Sequence, residues 1–287
     1  MARSSSKKKL RESILAGIFY PEDATALASA VDRALGSAPD SATGGASARA
    51  ILTPHAAFDY CSSVQAAAWK SAGGRNVTRV IMLCSYQRTE ESAVYLPESM
   101  SFQCPLGPVT VDTDFCTELE SCSTIFRTND IPHLEEHGIE VQLPFMKRMF
   151  PEAKLVPLVI SGCDPSALAG LSRALDLLIT QDPDGCLVVS VSNLASSIMA
   201  ADASMRSDEL VRMLLSSDWR ALCALGAEYA RSDGRACSIG PMALPSALSV
   251  LKGCHPKLLA RVDSTLRREH STERVVQYAA MGWFPPV

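Results

Sequence analysis

The amino-acid sequence predicts an α/β fold: a single domain in which a central, largely parallel or mixed β-sheet carries helices on both faces (α/β/α). Three observations support this. Apolar runs with the length of strands, such as 79–85 and 185–193, alternate with amphipathic segments of helical spacing. These runs are apolar over most of their length, which is typical of strands covered by helices on both sides. The 287 residues, 47% hydrophobic and 20% charged, can bury one large core.

The individual elements are predicted from the spacing of apolar residues and from the residues that open or end each segment. Strands are predicted at 50–53, 79–85, 92–97, 108–112, 154–162, 185–193 and 274–284. Helices are predicted at 24–35, 62–71, 113–121, 135–150, 165–180, 203–215, 218–232 and, after a turn, within 236–253. The segment 37–50 is rich in Pro, Gly and Ser, which predicts a surface loop.

The domain organisation follows from composition along the chain. Residues 1–10 are predicted to be a basic, disordered tail, and residues 11–287 to form the α/β domain. The opening MARSSSKKKLR is basic and Ser-rich without an acid, a composition shared with transit peptides. We expect a cytoplasmic protein, with a mitochondrial one as the alternative. After residue 50, neither linker-like composition nor an internal repeat divides the chain.

Composition and charge argue against several classes of protein. The formal net charge of −4 lacks the basic excess that is typical of nucleic-acid-binding proteins. No uninterrupted apolar run reaches the roughly 20 residues of a membrane helix, so we expect no membrane insertion. The ten cysteines are scattered without a C-x-x-C pair. This argues against a zinc ribbon and favours reduced, mostly buried thiols in a reducing compartment.

Candidate binding residues follow the predicted strands, where the ligands of open α/β sheets gather. They are His55 after the first strand, Tyr86, Gln87 and Arg88 after the second, and Ser192 and Asn193 at the end of 185–193. Cys237 lies in a turn just ahead of a predicted helix. The common motifs G-x-x-x-x-G-K-[ST], G-x-G-x-x-G, G-x-S-x-G and H-E-x-x-H are absent from the sequence.

A pair of histidines, His133 and His137, has the i and i+4 spacing that would place both on one face of a helix, as metal ligands can be. Pro132 precedes them and Gly138 follows, which predicts a loop or a helix start instead. For His137 we therefore expect a capping or hydrogen-bonding role rather than a shared metal.

Six segments of the chain identify a family resemblance. LAGIFYPED, TPHAAFDYCSS, EEHGIEVQLPF, LVVSVSN, CSIGP and VVQYAA occur in the order and approximate spacing of the Memo family, over residues 11–281. That family is similar in fold to the class III extradiol ring-cleaving dioxygenases (LigB-like), whose iron is held by two histidines and a carboxylate. The resemblance implies a related pocket of histidines and a cysteine with a capacity to bind metal, but no accepted substrate or reaction.

The resemblance carries over to some pocket positions. It implies that His55 is the first metal-type histidine, that Tyr60 is the following pocket tyrosine and that Cys237 is the pocket cysteine. Phe19 takes the place of an aromatic residue that is often tryptophan in relatives. Two elements are lost: 84–88 lacks the expected second histidine, and 191–195 lacks both an acid and a third histidine.

Three hypotheses remain open from these losses. The first is a Memo-like pseudoenzyme that acts as a binding or assembly module, with a protein partner and without a resident cofactor. The second is a residual site in which His55 and Cys237 hold iron, copper or zinc, or in which Cys237 is a nucleophile. The third is an enzyme for an anionic small molecule, using Arg88 with Tyr86, Ser192 and Asn193. Gln87 is a weak oxygen donor, and the charge of Arg88 would repel a divalent cation.

Overall fold

The computed structural model describes residues 9–39, 45–87, 91–162, 164–225, 239–267 and 274–286. Within them the predicted fold class is confirmed: a central mixed sheet is flanked by helices on both faces. One face is covered by three helices that also pack on one another, α1 (Ala24–Ser37), α2 (Phe58–Ser71) and α5 (Gly138–Met149).

The remaining helices complete the layers. They are α3 (Thr113–Cys122), α4 (Ile131–Glu135), α6 (Pro165–Ile179), α7 (Ala200–Ser216), α8 (219–225 among the described residues) and α9 (Ile239–Ala247). Short 3-10 turns follow at Ser249–Leu251 and Ser264–Arg267. α9 packs on the central strands and against both α6 and α7, which places these helices on the second face of the sheet.

Twelve strands are formed by the described residues. They are β1 (Leu10–Arg11), β2 (Ala50–Thr53), β3 (Arg79–Ser85), β4 (Ala93–Leu96), β5 (Ser101–Phe102), β6 (Val109–Thr110), β7 (Phe126–Thr128), β8 (Lys154–Ser161), β9 (Cys186–Val191), β10 (Ala195–Ser197), β11 (His255–Asp263) and β12 (Val275–Phe284). The first, fifth and sixth form a small separate sheet in the order β1-β5-β6.

The main sheet has the order β10-β12-β2-β9-β3-β8-β4-β7, and β11 pairs with β12. Its centre, β2-β9-β3-β8, is parallel, whereas the pairs β12–β2 and β4–β8 on its flanks are antiparallel. Almost every side chain of the four central strands is buried, as expected where helices cover both faces. The carboxyl ends of β2, β9 and β3 therefore lie side by side at one edge of the sheet.

Local sequence signals explain where several helices begin. The carboxylate of Asp23 accepts a hydrogen bond from the Ala26 amide (2.8 Å) at the start of α1. Asp164 accepts hydrogen bonds from the amides of Ser166 and Ala167 (both 2.8 Å) and is followed by Pro165, a residue suited to the first turn of a helix.

The structure corrects several predicted boundaries. The helix predicted at 62–71 begins four residues earlier, at Phe58, and the strand predicted at 108–112 is reduced to the two residues of β6. The helix predicted at 135–150 begins only at Gly138, after a separate short helix, α4. For the helix predicted at 218–232, only 219–225 lies within the described residues.

A nine-residue strand was not predicted at all. β11 reads HPKLLARVD, and its partly exposed, polar-rich pattern reflects its position outside β12. Leu10, assigned to the predicted tail, instead pairs with Ser101 in the small sheet. Residues 1–8 lie outside the described part of the chain. No described helix combines the length and the apolar composition that a bilayer span requires.

Candidate functional site

The candidate site lies at the carboxyl ends of the parallel strands. The Ser192 amide, just after β9, donates a hydrogen bond to the Thr53 carbonyl at the end of β2 (3.0 Å). The segments that follow β2 and β9 therefore leave the sheet side by side. This brings His55, after β2, into contact with Asn193, after β9. This is the edge at which ligands of α/β sheets bind.

Asn193 fixes the backbone on both sides of His55. Its Oδ1 accepts a hydrogen bond from the His55 amide (2.9 Å), and its Nδ2 donates one to the His55 carbonyl (3.1 Å). Ser192 is fully buried, and its hydroxyl donates to the Asn193 carbonyl (2.8 Å). These polar groups are consequently occupied by the backbone of the site.

Two histidines and a carboxylate converge next to this turn, and we call His55, Glu136 and His137 the histidine cluster. Their potential ligand atoms all lie within 4.8 Å of one another. The imidazole rings of His55 and His137 have centroids 4.3 Å apart. His55 Nε2 lies 3.0 Å, and His137 Nδ1 3.9 Å, from Glu136 Oε1.

Glu136 is placed by the break between α4 and α5. Its Oε1 accepts hydrogen bonds from the amides of His137 (2.8 Å) and Gly138 (2.9 Å), which are otherwise unpaired donors at the start of α5. His137 occupies the N-cap position, but its side chain makes no capping hydrogen bond. Of the two roles expected for His137, side-chain capping is thus wrong, because Glu136 performs it, and hydrogen bonding stays a prediction.

The protonation states of the cluster follow from its surroundings. Burial raises the pKa of Glu136, but the neighbouring His55 and the Gly138 amide lower it by more, so the net pKa is below the ordinary value. Burial and the neighbouring His55 lower the pKa of His137. At neutral pH, Glu136 is therefore ionised and His137 is neutral.

An aromatic ring covers one side of the cluster. The half-buried Phe19 contacts His137 edge-on, with ring centroids 5.1 Å apart. The segment 15–20, which contains Phe19, is held by the buried carboxylate of Glu140 on α5. This carboxylate accepts hydrogen bonds from the Tyr20 hydroxyl and from the Leu15 amide, both at 2.8 Å. Glu140 thereby positions the residue that covers His137.

A second set of buried polar side chains holds the turn that carries His55. Gln142 Nε2 donates to the Pro54 carbonyl (2.9 Å), while its Oε1 accepts from the Thr53 hydroxyl (3.0 Å) and from Trp69 Nε1 (2.9 Å). Gln65 Nε2 donates to the Pro54 carbonyl as well (3.3 Å). The path of the chain into the site is thus fixed from within the core.

The structure brings together some of the predicted site residues. His55, His137, Phe19 and Asn193 lie in one connected group, with Ser192 beneath it. Arg88 and Cys237 lie outside the described residues, so the predicted pair of His55 and Cys237 stays a prediction.

The other predicted site residues lie around this group or face elsewhere. Tyr60 is half-buried on α2 and packs against the core. The Tyr86 hydroxyl donates to Glu135 Oε2 (2.5 Å), its ring contacts that of Tyr95, and Gln87 is exposed.

His133 and His137 do not face a common ligand. His133 is buried, its Nε2 lies 3.0 Å from the Tyr95 carbonyl, and its ring packs edge-on against Phe102. Burial lowers its pKa to about 4, so it is neutral. The chain turns between α4 and α5, and the i, i+4 spacing consequently does not produce a shared face.

Sequence reasoning missed Glu136, Glu140 and Gln142, although all three lie in the segment EEHGIEVQLPF. The sequence predicts a helix there and a resemblance, but assigns these three side chains no role in the site. The available signal was the pair of polar residues Glu140 and Gln142 among the apolar residues that begin α5, with Glu136 two residues before that helix. Buried polar residues in such a position need partners, and here the partners include the two chain segments that build the site.

Replacing Gly138 with alanine should crowd the ends of β3 and β9 beside His55 and destabilise the protein. An added Cβ would lie 3.1 Å from Cys84 Cβ, 3.3 Å from Val191 Cγ1 and 3.4 Å from His55 Cδ2. Cys84 and Val191 belong to buried strands and cannot move far, so we expect a net loss of about 1–2 kcal/mol in the free energy of unfolding. Chemical denaturation and the NMR signals of the His55 ring provide the measurement.

Gly170→Ala is the matched control. Gly170 lies inside α6, and an added Cβ would meet only the Arg173 side chain, at 4.0 Å. Here alanine should stabilise the helix by about 0.5–1 kcal/mol. Equal effects of the two substitutions would show that Gly138 is not in close contact with the site.

The fold and the site together define an α/β domain with a histidine–carboxylate cluster at the carboxyl edge of its parallel strands. The model of one protein family, described as Memo-like protein, matches residues 11–281, and the chain belongs to this family.

Two relatives agree with this assignment, and one solved structure shares the fold. A MEMO1 family protein of Metallosphaera sedula is 27% identical over 256 residues, covering 86% of this chain and 89% of the relative. One from Aquifex aeolicus is 26% identical, covering 97% of this chain and 74% of the relative. The crystal structure of an uncharacterized protein from Escherichia coli K12 superposes with a TM-score of 0.53 at 11% identity, covering 81% of this chain and 98% of that one. This last similarity concerns the fold alone.

Proposed function

We propose that this Memo-family protein is a non-catalytic binding module, in which the pocket at the carboxyl edge of the sheet holds a ligand without transforming it. The observation that carries the proposal is the reciprocal pair of hydrogen bonds between Asn193 and the backbone of His55. The segment after β9, on which the resemblance implies an acid and a histidine, is engaged in fixing the site itself.

The segment after β3 supports the same proposal. Where the resemblance implies a second histidine, the Tyr86 hydroxyl is directed to Glu135, and the amide of Gln87 is exposed. Neither side chain is the imidazole that would serve as a general acid or base in that position.

The orientation of the remaining titratable groups also favours binding. His55 and His137 face each other and Glu136, with the ring of Phe19 against His137. A general base must reach a proton of its substrate. Groups that converge on one another at these distances instead suit a ligand small enough to lie among them.

We retain a protein partner as part of the proposal. Three large apolar side chains are exposed within one short stretch before and in the first turns of α7: Ile198 (70%), Met199 (63%) and Met205 (64%). Exposed apolar side chains of this kind are common at protein–protein interfaces. No comparable feature of the described residues favours the alternative of an enzyme for an anionic substrate.

Oxygen uptake tests the absence of catalysis. Protein supplied with Fe²⁺ and catechol, a substrate of the ring-cleaving dioxygenases that share this fold type, should consume oxygen no faster than Fe²⁺ and catechol alone. His55→Ala should give the same rate as the wild type. A rate well above the protein-free control that is lost in His55→Ala would refute the proposal.

Asn193→Asp tests the structural role on which the proposal depends. Aspartate can still accept from the His55 amide but cannot donate to the His55 carbonyl. Because the partly buried His55 carbonyl loses its donor and faces a carboxylate oxygen instead, the free energy of unfolding should fall by about 1–2 kcal/mol. An unchanged stability would mean that Asn193 is available for another role.

A further inference from the structure

The strand β11 forms one edge of the main sheet. The stretch of β12 from Met281 to Trp283 pairs with β2 and with β11 at the same time, so these two strands lie on opposite sides of β12. No described strand pairs with the far side of β11. All nine residues of β11 are at least partly exposed, although α2 and α7 both contact the strand. This exposure comes from the open side of the strand.

The backbone along the open side has no partner in the part of the chain that the structure describes. Apart from the pairing with β12, no hydrogen bond among the described residues reaches a backbone N–H or C=O group of 255–263. A row of unpaired backbone groups at a sheet edge is a template on which a further strand can add.

The first half of β11 is protected against such pairing, and the second half is not. Pro256 lacks an N–H, Lys257 is exposed, and the register shifts between Leu258 and Ala260. Proline, lysine and bulges are features that keep edge strands from pairing. From Ala260 to Asp263 the pairing with β12 is regular, and the strand contains none of these features. Only this second half is therefore an open template.

The side chains of the second half are self-complementary under two-fold symmetry. Arg261 and Asp263 carry opposite charges and point to the same face of the sheet, because they are two residues apart in a strand. When two copies pair antiparallel with Val262 opposite Val262, each Arg261 lies directly opposite Asp263 of the other copy, with Cβ atoms about 4.5–5.5 Å apart. The neighbouring symmetric registers place Arg261 opposite Arg261, or Asp263 opposite Asp263, and like charges disfavour both. Charge complementarity thus favours a second copy as the partner and selects one register.

We propose that β11 pairs with β11 of a second copy of this chain, antiparallel and with Val262 at the two-fold axis, to form a dimer with one continuous sheet. Two-fold dimers use the same surface patch on both copies, as this pairing does. The inference deepens the proposed function, on which it rests for the expectation of a protein partner, by naming that partner. The histidine cluster contributes no residue to the interface.

The helix α7 adds apolar surface beside the new pair of strands. Arg261 donates hydrogen bonds to Asp208 and to the Ser204 carbonyl, which places this helix next to the open half of β11. Met205, 64% exposed, lies one turn before Asp208 on the same side of α7. A two-fold axis perpendicular to the sheet leaves both α7 helices on one face of the joined sheet. Exposed apolar surface is thereby brought to the interface, where its burial adds to the stability of the dimer.

Sedimentation equilibrium over a range of protein concentrations tests the inference. The wild type should dimerise with a dissociation constant on the order of 10 μM, because one pair of short strands is a small interface. Asp263→Arg and Arg261→Asp each place like charges opposite one another and should weaken dimerisation at least about tenfold. The control Glu118→Arg reverses an exposed carboxylate on α3, which packs against β7 at the other end of the sheet, and should dimerise as the wild type does.

A mixture of the two weakened variants provides the sharper result. In a pair made of one Asp263→Arg chain and one Arg261→Asp chain, opposite charges face each other at both positions, so the mixture should dimerise although neither variant does so alone. This rescue requires the proposed register, and misfolded variants would not show it.

A second measurement uses the unaltered protein. Amide hydrogen exchange below and above the dissociation constant should show added protection at high concentration within 260–263, and none in β7. Three results would overturn the inference: a wild type that stays monomeric, folded variants that neither weaken the dimer nor rescue each other, or a dimer whose protected amides lie outside β11.

The two proposals fail separately. A monomeric protein without catechol turnover overturns the dimer and leaves the binding module intact. A dimer through β11 together with catechol turnover by the Fe²⁺-supplied protein supports the interface and refutes the non-catalytic function.

Discussion

Glu140→Gln is expected to lower the free energy of unfolding by about 3–5 kcal/mol, the largest effect of any substitution considered for this protein. Arg11 Nη1 donates to Glu140 Oε2 (2.6 Å), and both side chains are buried, at 2% and 0% exposure. Without the carboxylate, the guanidinium charge would remain buried with only carbonyl partners. Removing one member of a buried ion pair is costly for this reason.

The second oxygen of Glu140 adds to this effect. Oε1 accepts hydrogen bonds from the Ser13 and Tyr20 hydroxyls and from the Ile14 and Leu15 amides, at 2.8–3.0 Å. An amide oxygen is a weaker acceptor than a carboxylate for all four donors. The segment that carries Phe19 should therefore loosen, and contact of this ring with His137 should weaken.

Urea denaturation of Glu140→Gln measures the effect, and Asp32→Asn provides the matched control. Asp32 forms a two-fold contact with Arg148 (2.5 and 2.9 Å), but both side chains are about half exposed, at 47% and 52%. Surface pairs contribute little because water screens them. Similar losses in the two variants would show that burial does not govern the Arg11–Glu140 pair.

The pH dependence of stability offers an independent check on Glu140. Burial raises its pKa, but Arg11 lowers it by more, so the pKa in the folded protein is below the ordinary 4.5. A carboxyl group with a lowered pKa stabilises the fold above its unfolded pKa, and that contribution is lost as pH falls toward the folded value. The stability difference between wild type and Glu140→Gln should be complete at pH 7 and should narrow below pH 4.5.

Gln142→Leu should destabilise the protein by about 3 kcal/mol. The leucine fills the space but leaves the Thr53 hydroxyl and Trp69 Nε1 without the acceptor they share, in a region closed to water. Each unsatisfied buried group costs about 1–3 kcal/mol. The loss should also free the turn before His55, which circular dichroism and Trp69 fluorescence during denaturation would both report.

Gln65→Leu is the same substitution in a different hydrogen-bonding context. Gln65 is equally buried, but its Oε1 has no hydrogen-bond partner among the described residues, and Gln142 still donates to the Pro54 carbonyl in this variant. Replacement removes an unpaired acceptor as well as two donors, so a loss of only about 1 kcal/mol is expected. A loss equal to that of Gln142→Leu would contradict the role assigned to the Gln142 oxygen.

Much of the fold could be predicted because the central strands consist largely of consecutive apolar residues. The predicted strands 50–53 and 79–85 match β2 and β3 to the residue. β11 escaped prediction because its position outside β12 leaves it partly exposed, without the continuous apolar pattern of the centre. The break between α4 and α5 was also missed. Glu136 ends α4 and caps α5 through side-chain hydrogen bonds, and the spacing of apolar residues does not reveal such bonds.

The site was less predictable because its key contacts join distant parts of the chain. The resemblance placed His55 and Phe19 in a pocket, but Asn193 lies 138 residues from His55 and Arg11 lies 129 residues from Glu140. In the sequence, the adjacent residues Glu136 and His137 cannot be distinguished from a pair of polar residues exposed to solvent. Only the packing of α5 against the carboxyl ends of β3 and β9, where Gly138 meets Cys84 and Val191, turns both side chains toward His55.

The most direct test of the central claim, that this pocket binds without catalysing, is a single-turnover experiment. Protein loaded with Fe²⁺ is mixed with one equivalent of catechol and excess oxygen, and ring-cleaved product is counted per chain by its absorption. The account predicts no product beyond that formed by free Fe²⁺, in the wild type and in His55→Ala alike. Formation of about one product per chain, abolished in His55→Ala, would contradict it.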